Sequence, residues 1–378
     1  MLKRAHLFIF AAAASACDHF RPSLAQNAAF TTAAVAEFNE PWAMAFLPDG
    51  QLLVTEKGGA VKLLAIDSGQ VGDVTGVPAV EYAGQGGLGD VALHPNFATN
   101  GLVYLSYAEA GERGIAGAAV ARAKLALAKL ALAPTGGGAL EELTVVWRQN
   151  PKVDGRGHYG HRIAFGPDGF LYVSSGERQK FTPAQDMQAN LGKIVRLNDD
   201  GTVPRDNPFA DRGGVSAQIW SLGHRNPLGL AFDGEGRLWN VEMGPRGGDE
   251  LNLVQRGANY GYPVVSNGDH YSGADIPDHD KRPEFAAPAV WWNPVISPSS
   301  LLFYSGSEFP DWRGDAFIGG LSSAALIRIE LSANGAREAE RYEMGRRIRA
   351  VEQGFDGALW VLEDGRGGRL LKLTARRP

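Results

Sequence analysis

Ile163-Ala164-Phe165-Gly166-Pro167-Asp168-Gly169-Phe170-Leu171-Tyr172-Val173 is the stretch whose reading decides the fold. It is an apolar run, a Pro-Asp-Gly turn and a second run with an apolar face, which is the chemistry of two short strands joined by a tight reversal. The same unit recurs along the chain. Ala45–Glu56 (AFLPDGQLLVTE), Val91–Ser106, Leu230–Val241 (LAFDGEGRLWNV) and Val351–Val361 (VEQGFDGALWV) are further copies, and Asp315–Leu321 is a degenerate one. Short β meanders repeated every roughly 45 to 70 residues are the signature of a β-propeller. The copies predict an all-β, six-bladed β-propeller with four-stranded antiparallel blades, closed so that no sheet edge is left free.

Composition agrees with many turns and short strands. The 378 residues include 49 Gly and 21 Pro, placed between apolar runs rather than in low-complexity tracts. The net charge of −5 gives no electrostatic reason to expect nucleic acid or an anionic membrane as partner. One segment departs from the repeat: Ala118–Leu125 reads as a blade strand, and the Lys/Leu/Ala duplication that follows to Ala133 reads as an expanded hairpin arm.

The N-terminus has the form of an export signal. Met1-Leu2-Lys3-Arg4 is a positive start, Leu7–Ala16 is apolar but too short to span a bilayer, and Ser23-Leu24-Ala25 offers small residues before a cleavage point. Residues 1–25 are therefore expected to be a signal peptide, with 26–378 a single domain in the periplasm or outside the cell. Lipoprotein processing at Cys17 is the competing reading. Cys17 is the only cysteine, so cleavage after Ala25 leaves no thiol for a disulfide or a zinc site.

Propeller sites form where loops converge on one end of the central channel. Within Ile219–Pro263, the runs Leu230–Phe232 and Leu238–Val241 make a hairpin, with Gly234 and Gly236 expected to supply positive φ. Arg225-Asn226 and Gly244-Pro245 then lie at one end of it, bringing together a cation, an amide and irregular backbone. Asp154–Arg162 (DGRGHYGHR) holds two histidines in a glycine-rich loop: a general base, a metal pair, or loop histidines bonded to backbone. His161 adjoins the strand, whereas His158 lies farther out, and a base near neutral pH suits histidine. Gln85 sits among glycines in Gly84–Gly89, either reaching a ligand or making a turn. Arg347 and Arg349 alternate and would share a face, as a receptor for carboxylates or as a solvated edge strand. Trp291-Trp292 can stack on a planar ligand or fill the core. No Gly-x-Ser-x-Gly elbow, helical His-x-x-x-His or EF-hand loop is present.

Taken together, GQGGLGDVALHP, GHYGHRIAFGPDG, NLGKIVRLNDDGTVP, GHRNPLGLAF and MGPRGGDELN resemble the soluble sugar dehydrogenases that use pyrroloquinoline quinone (PQQ), most closely the bacterial aldose sugar dehydrogenase branch. The resemblance runs from about Phe38 to Leu373. It implies oxidation of aldoses at the anomeric carbon to lactones, with PQQ and Ca²⁺ as cofactors and an external electron acceptor as partner. Carried over residue by residue, it implies that His158 is the base, Arg225 stabilises charge on the quinone oxygen, and Gln85 lies beside the substrate. Asn226, Arg347 and Arg349 would hold the PQQ edge and carboxylates. The carbonyls of Gly244 and Pro245 would bind the Ca²⁺ that touches PQQ, and Glu250 with the Tyr260 backbone would hold a second, structural calcium. Where some members place a lysine against PQQ, this chain has Ser322. Two rivals stay open: a calcium-dependent lactonase, which would want acidic metal ligands around the channel, and a sugar- or protein-binding propeller without cofactor.

Overall fold

The computed structural model describes residues 29–127, 136–332 and 335–376. It is all-β, built of antiparallel sheets arranged as in a β-propeller. Four separate four-stranded sheets follow one another in the chain. The first is Gly160–Phe165, Leu171–Ser175, Lys193–Leu197 and Ile219–Leu222; the second is Pro227–Phe232, Leu238–Glu242, Asp249–Leu253 and Val290–Trp292. The third is Pro298–Phe303, Ala316–Gly320, Ala325–Ser332 and Gly335–Glu343. The fourth runs Ile348–Gln353, Leu359–Glu363 and Arg366–Ala375, and its outer strand is Phe30–Asn39 from the other end of the chain. That pairing, Phe30 opposite Ala375 through Asn39 opposite Arg366, ties the two ends together by backbone hydrogen bonds, which answers the absence of disulfides.

The remaining meanders differ from the expected separate blades. Pro41–Phe46 to Gln70–Thr75 and Leu88–Leu93 to Gly138–Arg148 form one eight-stranded sheet, because Val74 and Thr75 pair in parallel with Gly138 and Ala139. Missing side chains allow it: a Cβ on Gly72 would lie 2.5 Å from the backbone of Gly136 and Gly137, and one on Gly137 would meet Asp73 O at 2.5 Å. The strand expected over Ala118–Leu125 is Ala116–Leu127, and its hairpin partner is Gly138–Arg148. The tip, residues 128–135, lies outside the described residues, as does the expected signal peptide.

Each meander starts from a strand on the axis, and each of these strands packs against the corresponding strand of the next meander, the last against the first. The second strands, such as LLVTE, LYVSS and LWVLE, are buried at every residue. They are covered on both faces, so each opens on consecutive apolar residues rather than an alternating pattern, with buried polar residues at the channel end. The Asp-Gly turns repeat one hydrogen bond, an Asp carboxylate accepting an amide two residues on, as in Asp49 to Gln51, Asp168 to Phe170 and Asp356 to Ala358. In the hairpin after Phe232 only Gly236 has positive φ, 75°; Gly234 does not, since Asp233 braces the turn by accepting from the amides of Glu235 and Arg237. Trp292 is buried with its Nε1–H on Glu338, whereas Trp291 is half exposed on the outside. Among the described residues no helix is long and apolar enough to cross a membrane.

Candidate active site

Gln85, His158, Arg225 and Arg347 each lie just before an axial strand, beginning at Leu88, Gly160, Pro227 and Ile348 respectively. They therefore gather at one end of the channel. A cavity of ≈ 260 Å³ there is bordered by Gln85, Tyr159, Met243, Arg347 and Arg349. A second of ≈ 230 Å³ adjoins it, bordered by His158, Arg225, Phe181, Tyr262 and Tyr271.

His158 is buried and held at φ 49°. Its Nδ1 lies 2.5 Å from Oε1 of Glu177, whose other oxygen accepts the amides of Lys180 and Phe181. Burial, the largest single influence, raises the Glu177 carboxyl, but the hydrogen bond and charge of His158, the Phe181 amide and Arg225 together outweigh it and the net shift is downward, so Glu177 is the acceptor. Nδ1 of His158 is then the donor and Nε2 carries the lone pair. Burial also pushes the imidazole below its ordinary value, against the pull of Glu177, so at neutral pH it is a base. Arg178 presents this loop: its guanidinium is fully buried, donates to the carbonyls of Gly155, Gly157 and Ala116, and stacks 3.7 Å over the Tyr159 ring. Neither Glu177 nor Arg178 was marked by the sequence. The signal available was that Ser174-Ser175-Gly176-Glu177-Arg178 leaves a strand with a carboxylate at the same channel end.

His161 takes the structural role its position suggested. It is stacked on Trp42 at 5.0 Å, bonded to Ser106 Oγ at 2.7 Å, and pushed down to about 3 by burial, then by Arg162. Gln85 uses its carbonyl to accept the His158 amide at 2.7 Å, so it positions the base directly.

Arg225 is buried and donates from Nη1 to the carbonyls of Met243, at 2.9 Å, and Gly244, at 2.6 Å. The hairpin thus brings Arg225 and Gly244 together as expected. Among the described residues no carboxylate is within ion-pair distance of this guanidinium, and Arg225 Nε and Asn226 Oδ1 are buried without partners. Arg347 and Arg349 do share a face, and both donate to the carboxylate of Asp364, at 2.7 and 2.8 Å. Arg349 is largely buried and Arg347 half exposed. Ser322 is exposed with its hydroxyl on Val295 O.

Below Arg225, Glu250 and Tyr260 border one small cleft with Gly244 and Pro245. Glu250 is held well above the usual carboxylate range by burial and by Glu242, and has no Lys or Arg partner. The Tyr260 carbonyl receives only a long contact, 3.3 Å, from His279 Nε2, and Asn252 Oδ1 is orphaned nearby. A buried carboxylate, a carbonyl and an unpaired amide oxygen form an oxygen-only set of the kind hard cations take. No group of three or more His, Cys, Asp or Glu arranged for a metal occurs among the described residues. At Gly244 the carbonyl already accepts from Arg225, so a cation there requires the guanidinium to turn off it.

A sequence model of the family described as glucose/sorbosone dehydrogenase matches residues 38–372. The chain belongs to that family. Among its relatives, the aldose sugar dehydrogenase YliI of Escherichia coli is 39% identical over 348 residues, covering 90% of this chain and 91% of the relative. The apo-form crystal structure of the soluble aldose sugar dehydrogenase from Escherichia coli superposes with a TM-score of 0.84 at 37% identity, covering 92% of this chain and all of that one. The PQQ-bound form of the aldose sugar dehydrogenase from Streptomyces coelicolor matches with a TM-score of 0.74 at 29% identity, over 92% and 98% of the two chains. Family membership agrees with the resemblance drawn from the motifs, and the orphaned donors and acceptors around Arg225 and Asn226 fit a polar planar ligand.

Proposed function

We propose that this chain is a six-bladed quinoprotein that oxidises aldose sugars at the anomeric carbon to lactones, with PQQ and Ca²⁺, and passes the electrons to an external acceptor. The observation that carries this reading is Arg225: a buried guanidinium with no carboxylate partner and an unused Nε, at the cavity that a histidine lone pair also faces. A fixed cation left uncompensated is arranged to stabilise negative charge that develops during a reaction. PQQ, when bound, supplies the hydride-accepting quinone.

The rest is done by the chain's own residues. His158 Nε2 takes the anomeric hydroxyl proton while Glu177 holds Nδ1 and steadies the imidazolium that forms. Gln85 fixes the His158 backbone. Arg225 donates to the oxygen on which charge builds. Asn226, Arg347 and Arg349 hold the cofactor edge and carboxylates, Asp364 keeping the two guanidiniums parallel until an anion replaces it. Gly244 and Pro245 carbonyls would hold one Ca²⁺ once Arg225 has turned to its ligand, and Glu250 with the Tyr260 carbonyl a second, structural one. The relatives named as aldose sugar dehydrogenases and the PQQ-bound neighbour support the substrate class and cofactor. The export-signal pattern of residues 1–25 supports a periplasmic or secreted enzyme, with lipid anchoring at Cys17 the weaker alternative.

Reconstitution of the apo-protein with PQQ and Ca²⁺, followed by an aldose assay with an artificial acceptor, tests this. Turnover with lactone release is expected. Failure to bind PQQ at micromolar concentration would sink the reading and leave a sugar-binding propeller, consistent with Ser322 in place of a lysine.

A further inference from the structure

Ser221, His224 and Glu242 form a hydrogen-bonded chain that the proposed chemistry does not use. Ser221 Oγ lies 2.8 Å from His224 Nε2, and His224 Nδ1 lies 2.8 Å from Glu242 Oε1. The order serine, histidine, carboxylate is that of a hydrolytic triad. Yet Ser221 and His224 are fully buried and Glu242 almost so, and the imidazole is stacked on Tyr260 at 4.7 Å. A nucleophile must reach a carbonyl carbon, and Ser221 is fully buried with its Oγ on the His224 imidazole. Hydrolysis is therefore the wrong reading of this geometry.

The far end of the chain shows what it touches. Glu242 Oε2 accepts the backbone N–H of Arg225 at 2.5 Å. Its other oxygen is shared among His224, Asn240 and Asn252. The carboxylate is thus saturated on four sides, by the Arg225 amide, His224, Asn240 and Asn252. Glu242 thus grips the main chain at Arg225 rather than forming an ion pair with its guanidinium. If His224 and the two asparagines did not occupy Glu242, the carboxylate would be free to pair with a guanidinium instead.

We propose that Ser221, His224 and Glu242 are positioning residues, which fix the main chain at Arg225 and keep the Glu242 carboxylate turned away from its side chain. Glu242 also ends the strand that leads into Met243 and Gly244, so the same group sets the spacing between the two halves of the hairpin end. This inference rests on the proposed role of Arg225 in holding the cofactor.

Two measurements on Glu242→Gln test it. In the apo-protein, hydrogen–deuterium exchange of the Arg225 amide should speed up at least tenfold relative to amides of Leu359–Glu363. PQQ affinity, read by quenching of tryptophan fluorescence, should fall at least tenfold. Tyr304→Phe, which removes a buried hydroxyl bonded to Gly357 O far from the site, is the control for general destabilisation and should leave both quantities within twofold. Should Glu242→Gln not fold, His224→Asn carries the same test. Unchanged Arg225 exchange in the variant overturns the proposal, as does an equal effect in the control or covalent labelling of Ser221 by a fluorophosphonate. If the wild type itself fails to bind PQQ, the functional reading falls while the exchange arm still decides the positioning role.

Discussion

Glu352 lies inside the other mouth of the channel, in a cavity of ≈ 370 Å³ that it shares with Asp90 and Arg162. Burial, and next the negative charge of Asp90, raise its carboxyl from 4.5 to about 8, so it is protonated in the folded protein at neutral pH. An unfolded chain would ionise it near 4.5. Between these values the folded state holds a proton the unfolded state has lost, and stability falls as pH rises. One pKa unit corresponds to about 1.4 kcal/mol, so the residue costs about 1 kcal/mol at pH 5 and about 3 kcal/mol at pH 7, as upper values because water in the cavity lowers them. Glu352→Gln keeps the shape of the protonated acid and removes the titration. Urea unfolding followed by tryptophan fluorescence should find the variant more stable by up to about 3 kcal/mol at pH 7, with that advantage shrinking by about 2 kcal/mol on going to pH 5. Parallel stability–pH curves for the two proteins would refute the reasoning, since they would mean that Glu352 is ionised in the fold.

Four other outcomes follow from the same geometry. His158→Gln should lower turnover by about 10²- to 10⁴-fold with PQQ affinity kept, measured by steady-state kinetics and fluorescence titration. Glu177→Gln replaces the charged acceptor on Nδ1 with a neutral one and should lower the pH at which His158 loses activity, since the hydrogen bond and charge that raise the imidazole are weakened; a pH–rate profile unchanged from wild type would exclude the pairing. Arg162 donates to Asp90, Leu228 O and Ser299 O and stacks on Trp42, touching neighbouring meanders at once. Arg162→Met should therefore cost about 3–5 kcal/mol in urea unfolding by leaving Asp90 unpaired, and Asp90→Asn in the same background should recover part of it. Calcium at 100 times its dissociation constant should stabilise the apo-protein by about 2.7 kcal/mol if Glu250 and Tyr260 hold it, and Glu250→Gln should abolish that gain in a thermal melt.

Much of the site was written locally. The repeated apolar–Asp-Gly–apolar unit depends on turn chemistry between adjacent residues, so it announced the strands and their spacing. The hairpin from Pro227 to Glu242 put Arg225 beside Gly244 for the same reason, and alternation put Arg347 and Arg349 on one face. Partners distant in the chain were not legible. Phe30–Asn39 completes the last sheet because ring closure brings it there rather than any turn, and no sequence pattern links the two segments. Glu177 on His158 and Asp364 on the two arginines instead face each other across single hairpins, as Arg225 and Gly244 do, and what the sequence left open was that those carboxylates turn back onto these partners. The turn glycines show the same division on a smaller scale. Two were expected at positive φ, and the carboxylate of Asp233 made one sufficient. What the sequence by itself determined was which residues carry charge and which segments are strands, since those follow from side-chain chemistry and nearest neighbours. Only the tertiary structure decided which charges are compensated. Asp364 pairs with both Arg347 and Arg349, whereas Arg225 is buried with no ion pair and Glu242 turned to its main chain, and burial at the channel end makes that difference count.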